Sequence, residues 1–139
     1  MNNDEKLKEP LQQPQKARQR IFFIEDDQIL VRAYQNKLTM EGFEVDSAIN
    51  GVEAIQKLGF NDYDLVLLDL MLPKMNGFDV LHQLRTSGWP AAKKPIIVFS
   101  NLGDASDIDK AKKLGANDYL VKANLSPDQV VAKIKEYLK

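Results

Sequence analysis

Short apolar runs alternate along this chain with segments in which apolar residues return at three and four residue steps. Residues 20–25 contain the run Ile21-Phe22-Phe23-Ile24 and read as a strand. Ile29, Leu30, Ala33, Tyr34 and Leu38 then recur at helical spacing, which predicts a helix over 27–41 that Gly42 ends. Phe43, Val45 and Ala48 alternate with polar residues, as in a strand with one wet face, and Val52, Ile55 and Leu58 mark a short helix closed by Gly59. Residues 64–69 are nearly all apolar, the pattern of a strand covered on both faces. Asn76-Gly77 could open a hairpin, but Phe78, Leu81 and Leu84 follow at helical spacing, so Asn76 reads as a helix cap. Pro95 to Phe99 form a fourth strand with proline at its first position, residues 104–115 a lysine-rich helix with a thin stripe of Ile108, Ala111 and Leu114, and residues 118–121 a fifth strand. The last helix opens at Ser126-Pro127-Asp128, a cap followed by proline, and presents Val130, Val131, Ile134, Tyr137 and Leu138.

Strands alternating with helices in this way predict an α/β fold, a doubly wound five-stranded parallel sheet with five helices. Periodicity alone leaves the strand order open. Residues 1–19 carry charges, Gln and two prolines around few apolar residues, and are expected to form a disordered tail; residues 20–139 form the domain. The composition, 44% hydrophobic and 28% charged, is that of an ordinary soluble protein. A net charge of −1 gives no footprint for direct nucleic-acid binding, and no apolar run is long enough for membrane insertion. The absence of cysteine excludes disulfides, thiolate metal sites and thiol nucleophiles, and fits a cytoplasmic location.

If the sheet is parallel, Glu25, Asp26, Asp69, Ser100 and Lys122 all end strands on the same edge, where open α/β sheets place their ligands. Like charges about 4 Å apart repel by roughly 4 kcal/mol near a protein surface, so three carboxylates gathered there invite a cation. All-oxygen donors favour Mg²⁺. A lysine and a hydroxyl beside such a cation suit a phosphoryl group, and the implied chemistry is attack of a carboxylate on phosphorus. Taken singly, Glu25-Asp26-Asp27 could be the acidic first turn of a helix, Asp69 a cap, and Ser100 and Lys122 solvated surface groups; their joint occurrence at four strand ends favours the functional reading. His82 is the only histidine and reads as a surface or packing residue, and Trp89 beside Pro90 as a packing anchor. No glycine pattern supports a dinucleotide or P-loop site.

The stretches FFIEDD, DLVLLDLMLPKMNGFDVL, PIIVFSN and GANDYLVK, with 31 residues from Asp69 to Ser100 and 22 from Ser100 to Lys122, resemble the receiver domain of two-component response regulators. The resemblance covers residues 20–139 and implies the flavodoxin-like strand order 2-1-3-4-5. It implies that Asp69 accepts phosphate from a kinase histidine, with Glu25, Asp26, Asp69 and the Met71 backbone carbonyl holding Mg²⁺, and Ser100 and Lys122 binding the phosphoryl oxygens. Ser100 and Tyr119 would act as the switch pair, reshaping the face built from residues 104–138. The implied partners are a sensor histidine kinase or histidine phosphotransfer protein, and a downstream protein bound through that face. The chain would then be no enzyme beyond catalysing its own phosphorylation and dephosphorylation; its end at Lys139, just after the last helix, suits a stand-alone chemotaxis-type receiver, and a fragment of a longer regulator would look the same.

Two positions depart from the family pattern. Asn101 stands where a small residue is usual, and Ala123 where proline, often cis, follows the lysine. A non-proline cis bond costs about 3–4 kcal/mol, so a trans Lys122–Ala123 bond is expected, or else a strained cis bond kept for function. Two other readings stay open: a Mg²⁺-dependent phosphatase with Asp69 as nucleophile, although Met71 occupies the place where a second acid is usual, and a binding module that works without phosphorylation.

Overall fold

The computed structural model describes residues 17–138. The expected tail lies outside the described residues apart from residues 17–19, which are exposed and lead into the sheet, the Gln19 carbonyl accepting from Glu44 N–H at 2.9 Å. Five strands, β1 Arg20–Ile24, β2 Glu44–Ala48, β3 Leu65–Leu68, β4 Ile96–Ser100 and β5 Asp118–Val121, pair in parallel in the order β2-β1-β3-β4-β5. Between them run α1 Gln28–Met40, α2 Gly51–Phe60, α3 Gly77–Thr86 and α4 Ala105–Lys113, and α5 Pro127–Tyr137 closes the chain. The side chains of the strands alternate between two cores. Phe22, Ile24, Val66, Leu68, Ile96 and Val98 face α2, α3 and α4. Ile21, Phe23, Leu65, Leu67, Ile97 and Phe99 face α1 and α5. A sheet covered on both sides favours strands apolar at every position, which is why β3 is an unbroken apolar run and β4 is one as far as Ser100.

Three local readings are corrected. In α1 the buried stripe is Val31, Tyr34 and Leu38, whereas Ile29 is 85% exposed and Ala33 is exposed as well. The sheet selects the face at i, i+3 and i+7, and Ile29 lies in the first turn, just after the Asp27 cap. Gly59 does not end its helix: α2 continues to Phe60, and Asn61 closes it through bonds from its backbone and side-chain nitrogens to the Lys57 carbonyl. Gly59 lies within the last turn, and the Trp89 ring packs over it, about 3.4 Å from where a Cβ would stand. Helix α4 is shorter than its lysine-rich stretch suggested and buries only Ala111 fully, so it is the most lightly anchored helix of the set. No helix among the described residues is long and apolar enough to cross a membrane.

Candidate functional site

The strand order reverses direction at β1, which is flanked by β2 and β3, and the crevice at such a switch point is where open sheets bind ligands. The chain delivers two carboxylates there by extending the ladder one residue past each strand. Glu25 N–H donates to the Ala48 carbonyl and Asp69 N–H to the Ile24 carbonyl, both at 3.0 Å. These bonds hold the two backbones side by side and turn both side chains to the rim. Glu25 is 1% and Asp69 4% exposed, whereas Asp26 is exposed. One carboxylate oxygen from each of Glu25, Asp26 and Asp69 lies within 4.8 Å of the others.

Two buried carboxylates require partners. One oxygen of each takes a backbone N–H two residues ahead, Asp27 N–H to Glu25 Oε2 and Met71 N–H to Asp69 Oδ1, both at 3.1 Å. The other oxygen of each takes Lys122, whose Nζ donates to Glu25 Oε1 at 2.5 Å and to Asp69 Oδ2 at 3.0 Å. Burial alone would lower the lysine pKa, but its hydrogen bonds to Glu25 and Asp69 outweigh that and push it up. For Glu25 the balance goes the other way. Burial pushes its pKa up to about 6 against the bonds from Lys122 and the Asp27 N–H, with the Asp69 charge adding to the rise. Lys122 makes these contacts from a single 3-10 turn, Lys122–Asn124. The Lys122–Ala123 bond is trans, since no cis peptide bond occurs among the described residues. The residue that replaces proline therefore does not keep the ammonium from the cluster.

The remaining predicted residues take distinct places. Ser100 ends β4, is fully buried, and accepts from Leu102 N–H at 3.3 Å. Tyr119 is half-buried against the core, and its hydroxyl donates to the Leu102 carbonyl at 2.6 Å. Burial, with Asp107, Asp69 and Asp104 nearby, pushes that phenol up to about 12, so it stays a donor. Ser100 and Tyr119 thus grip the same residue, Leu102, in the β4–α4 loop. Met71 is 56% exposed and meets Asp69 through its backbone, while Asn101 and His82 are exposed. Asp27 caps α1, its Oδ1 accepting from Ile29 and Leu30 N–H at 3.0 and 3.2 Å. Gly77 supports the site from below: a Cβ there would overlap the Asp69 carbonyl, so only glycine lets α3 begin this close to the acid.

A profile of the response regulator receiver domain matches residues 21–135. The chain belongs to that family. Among curated proteins, this receiver is 34% identical over 122 residues to the probable transcriptional regulator ycf27 of Cyanophora paradoxa, an alignment covering 88% of this chain and 49% of that protein. It spans about half the length of the curated relatives it matches. Among solved structures, the receiver domain protein (CheY-like) of Methanospirillum hungatei superposes with a TM-score of 0.81 at 25% identity, covering 88% of this chain and 94% of that one. The BeF3-activated N-terminal receiver domain of RstA from Klebsiella pneumoniae gives 0.78 at 28% identity, covering 86% and 98%.

Sequence reasoning missed Arg85, at the end of α3. Its guanidinium donates to the carbonyls of Gly115 and Ala92, both at 2.9 Å, and of Lys94 at 2.8 Å, and to Asn117 Oδ1 at 2.6 Å. It joins the α3–β4 and α4–β5 connections at the edge of the sheet away from the acidic cluster. Its partners lie between 7 and 32 residues away, so no local pattern could have marked it.

Proposed function

We propose that this receiver is a phosphoacceptor of a two-component relay, with Asp69 taking a phosphoryl group from the histidine of a sensor kinase or histidine phosphotransfer protein. The observation that carries the reading is the double contact of Lys122 with Glu25 and Asp69, made across 97 and 53 residues of chain. An Asp69 oxygen attacks phosphorus, the P–N bond to the donor imidazole breaks, and the imidazole keeps the electron pair and takes up a proton. Lys122 and the Ser100 hydroxyl then meet the oxygens of the new phosphoryl group. The donor set of Glu25, Asp26, Asp69 and the Met71 carbonyl is all oxygen, with Asp26 exposed to admit a hydrated ion, and it suits Mg²⁺. When bound, Mg²⁺ supplies positive charge that offsets the phosphoryl and carboxylate oxygens. Drawing Ser100 toward the phosphoryl group would disturb its bond to Leu102, which Tyr119 also holds. The change would then pass to the face of residues 104–138, where a downstream protein reads it.

Incubation with a small acyl phosphate, with and without Mg²⁺, tests this by intact mass. The expected result is a gain of one phosphoryl group that needs Mg²⁺ and disappears in Asp69→Asn. No gain, or an equal gain in Asp69→Asn, would overturn the assignment.

A further inference from the structure

Between Asp69 and α3 the chain passes through a tight loop that contains the only non-glycine residue of positive φ among the described residues, Lys74 at +71°. The Pro73 carbonyl accepts from Met75 N–H at 2.8 Å. A bond closing three residues about a positive-φ centre is a γ-turn of the rare, strained hand. Such strain persists only where the surroundings over-determine it. Here the surroundings are the first turn of α2. Gly51 N–H reaches the same Pro73 carbonyl at 3.4 Å, and a Cβ on Gly51 would overlap the Met75 carbonyl and Cβ. That turn is stiffened in turn by Asn50 Oδ1, which accepts from Glu53 N–H, and by Glu53 Oε1, which accepts from Ile49 N–H, both at 2.8 Å. At its other side the loop is tied to the acidic cluster, through Met71 N–H to Asp69 Oδ1 and Gly77 N–H to the Leu70 carbonyl.

We propose that Gly51 and Lys74 are positioning residues for the cation site: the first turn of α2 holds the Lys74 turn in its strained form, and that turn fixes where the Met71 carbonyl and the Asp69 carboxylate stand. The inference rests on Glu25, Asp26, Asp69 and Met71 being the Mg²⁺ ligands. Both residues act through the backbone. What matters at position 74 is therefore its φ angle and not its charge. A β-branched residue cannot hold a positive φ cheaply, so it turns the loop over, whereas glycine accepts the angle without cost.

Calorimetric Mg²⁺ titration and urea unfolding of the whole chain test this with Lys74→Val, Lys74→Gly and Gly51→Ala. Lys74→Val and Gly51→Ala are expected to weaken the Mg²⁺ dissociation constant by about tenfold or more, while Lys74→Gly stays within about threefold of the parent. In EDTA, Lys74→Gly should unfold at a higher urea concentration than the parent, because the strain is gone. An electrostatic role for Lys74 predicts a different result, with Val and Gly both tightening Mg²⁺ alike. Equal Mg²⁺ affinity in the Val and Gly variants, or a lowered urea midpoint for Lys74→Gly, overturns the positioning role and leaves the ligand assignment standing. A parent chain with no saturable Mg²⁺ binding overturns both. Should Lys74→Val fail to fold, the midpoint of Lys74→Gly and the affinity of Gly51→Ala still decide.

Discussion

Glu25 is a carboxylate held where a charge is costly, and the size of that cost can be measured. It is 1% exposed, and burial outweighs its bonds from Lys122 and the Asp27 N–H to lift its pKa from 4.5 to about 6. That difference is worth roughly 2 kcal/mol. The folded chain binds this proton more tightly than the open chain, so folding stability is highest below pH 4.5, falls as pH rises through about 6, and stays at the lower level above. Glu25→Gln cannot titrate. Its stability relative to the parent should therefore rise by roughly 2 kcal/mol between pH 4 and pH 7 in EDTA, on top of a constant offset from the new amide. Asp46 pulls the other way at lower pH. Burial would raise its pKa, but hydrogen bonds from Tyr63, Ser47 N–H and Lys57 outweigh that and lower it. It is common to both chains and drops out of the difference. Urea unfolding in half-unit steps of pH gives the curve. A difference that stays flat within about 0.5 kcal/mol across the range would refute the reasoning. Saturating Mg²⁺ should recover the parent above pH 6 by about 2.7 kcal/mol at a hundred times its dissociation constant, and leave Glu25→Gln much less affected.

Three further outcomes are expected. Arg85→Met removes a cation that ties the α3–β4 connection to the α4–β5 loop, and should lower the unfolding free energy by about 3 kcal/mol in urea while phosphoryl labelling of the folded fraction persists. Ser126→Ala removes half of the capping box that opens α5, where Ser126 Oγ accepts from Gln129 N–H and the Gln129 side chain accepts in return, at a cost of about 1 kcal/mol readable by thermal unfolding. Tyr119→Phe frees the Leu102 carbonyl, so amide hydrogen exchange in residues 101–104 should quicken with labelling by acyl phosphate unchanged; unchanged exchange would count against the tyrosine as a tether.

The strands were legible because a sheet covered on both faces leaves no room for polar residues, and β3 and β4 have none among their buried positions before Ser100. The clustering of Glu25, Asp69 and Lys122 could be expected from the same logic, since each ends a run that a parallel sheet must bring to one edge. Helix faces were harder. Ile29 and Ala33 match a helical stripe as well as Val31 does, and only the position of the sheet beneath α1 decides between them. Gly59 has the composition of a terminator, but the stop comes two residues later, where the Asn61 side chain can reach the Lys57 carbonyl. The strained turn at Lys74 was invisible. Lysine carries no signal of positive φ, and the contact that holds it comes from Gly51, at the start of α2 more than twenty residues earlier in the chain.

Trp89, the only tryptophan, follows the end of α3, and α3 begins against Asp69 and runs back to the far edge of the sheet. Its indole rests on Gly59, a helix away from the acids. Native emission will therefore be a gauge of global melting that is deaf to ion or phosphoryl occupancy, equally usable in EDTA and in Mg²⁺. An optical readout of the pocket itself needs a second chromophore, and the outward-facing side chain of Met71 marks the place to graft one.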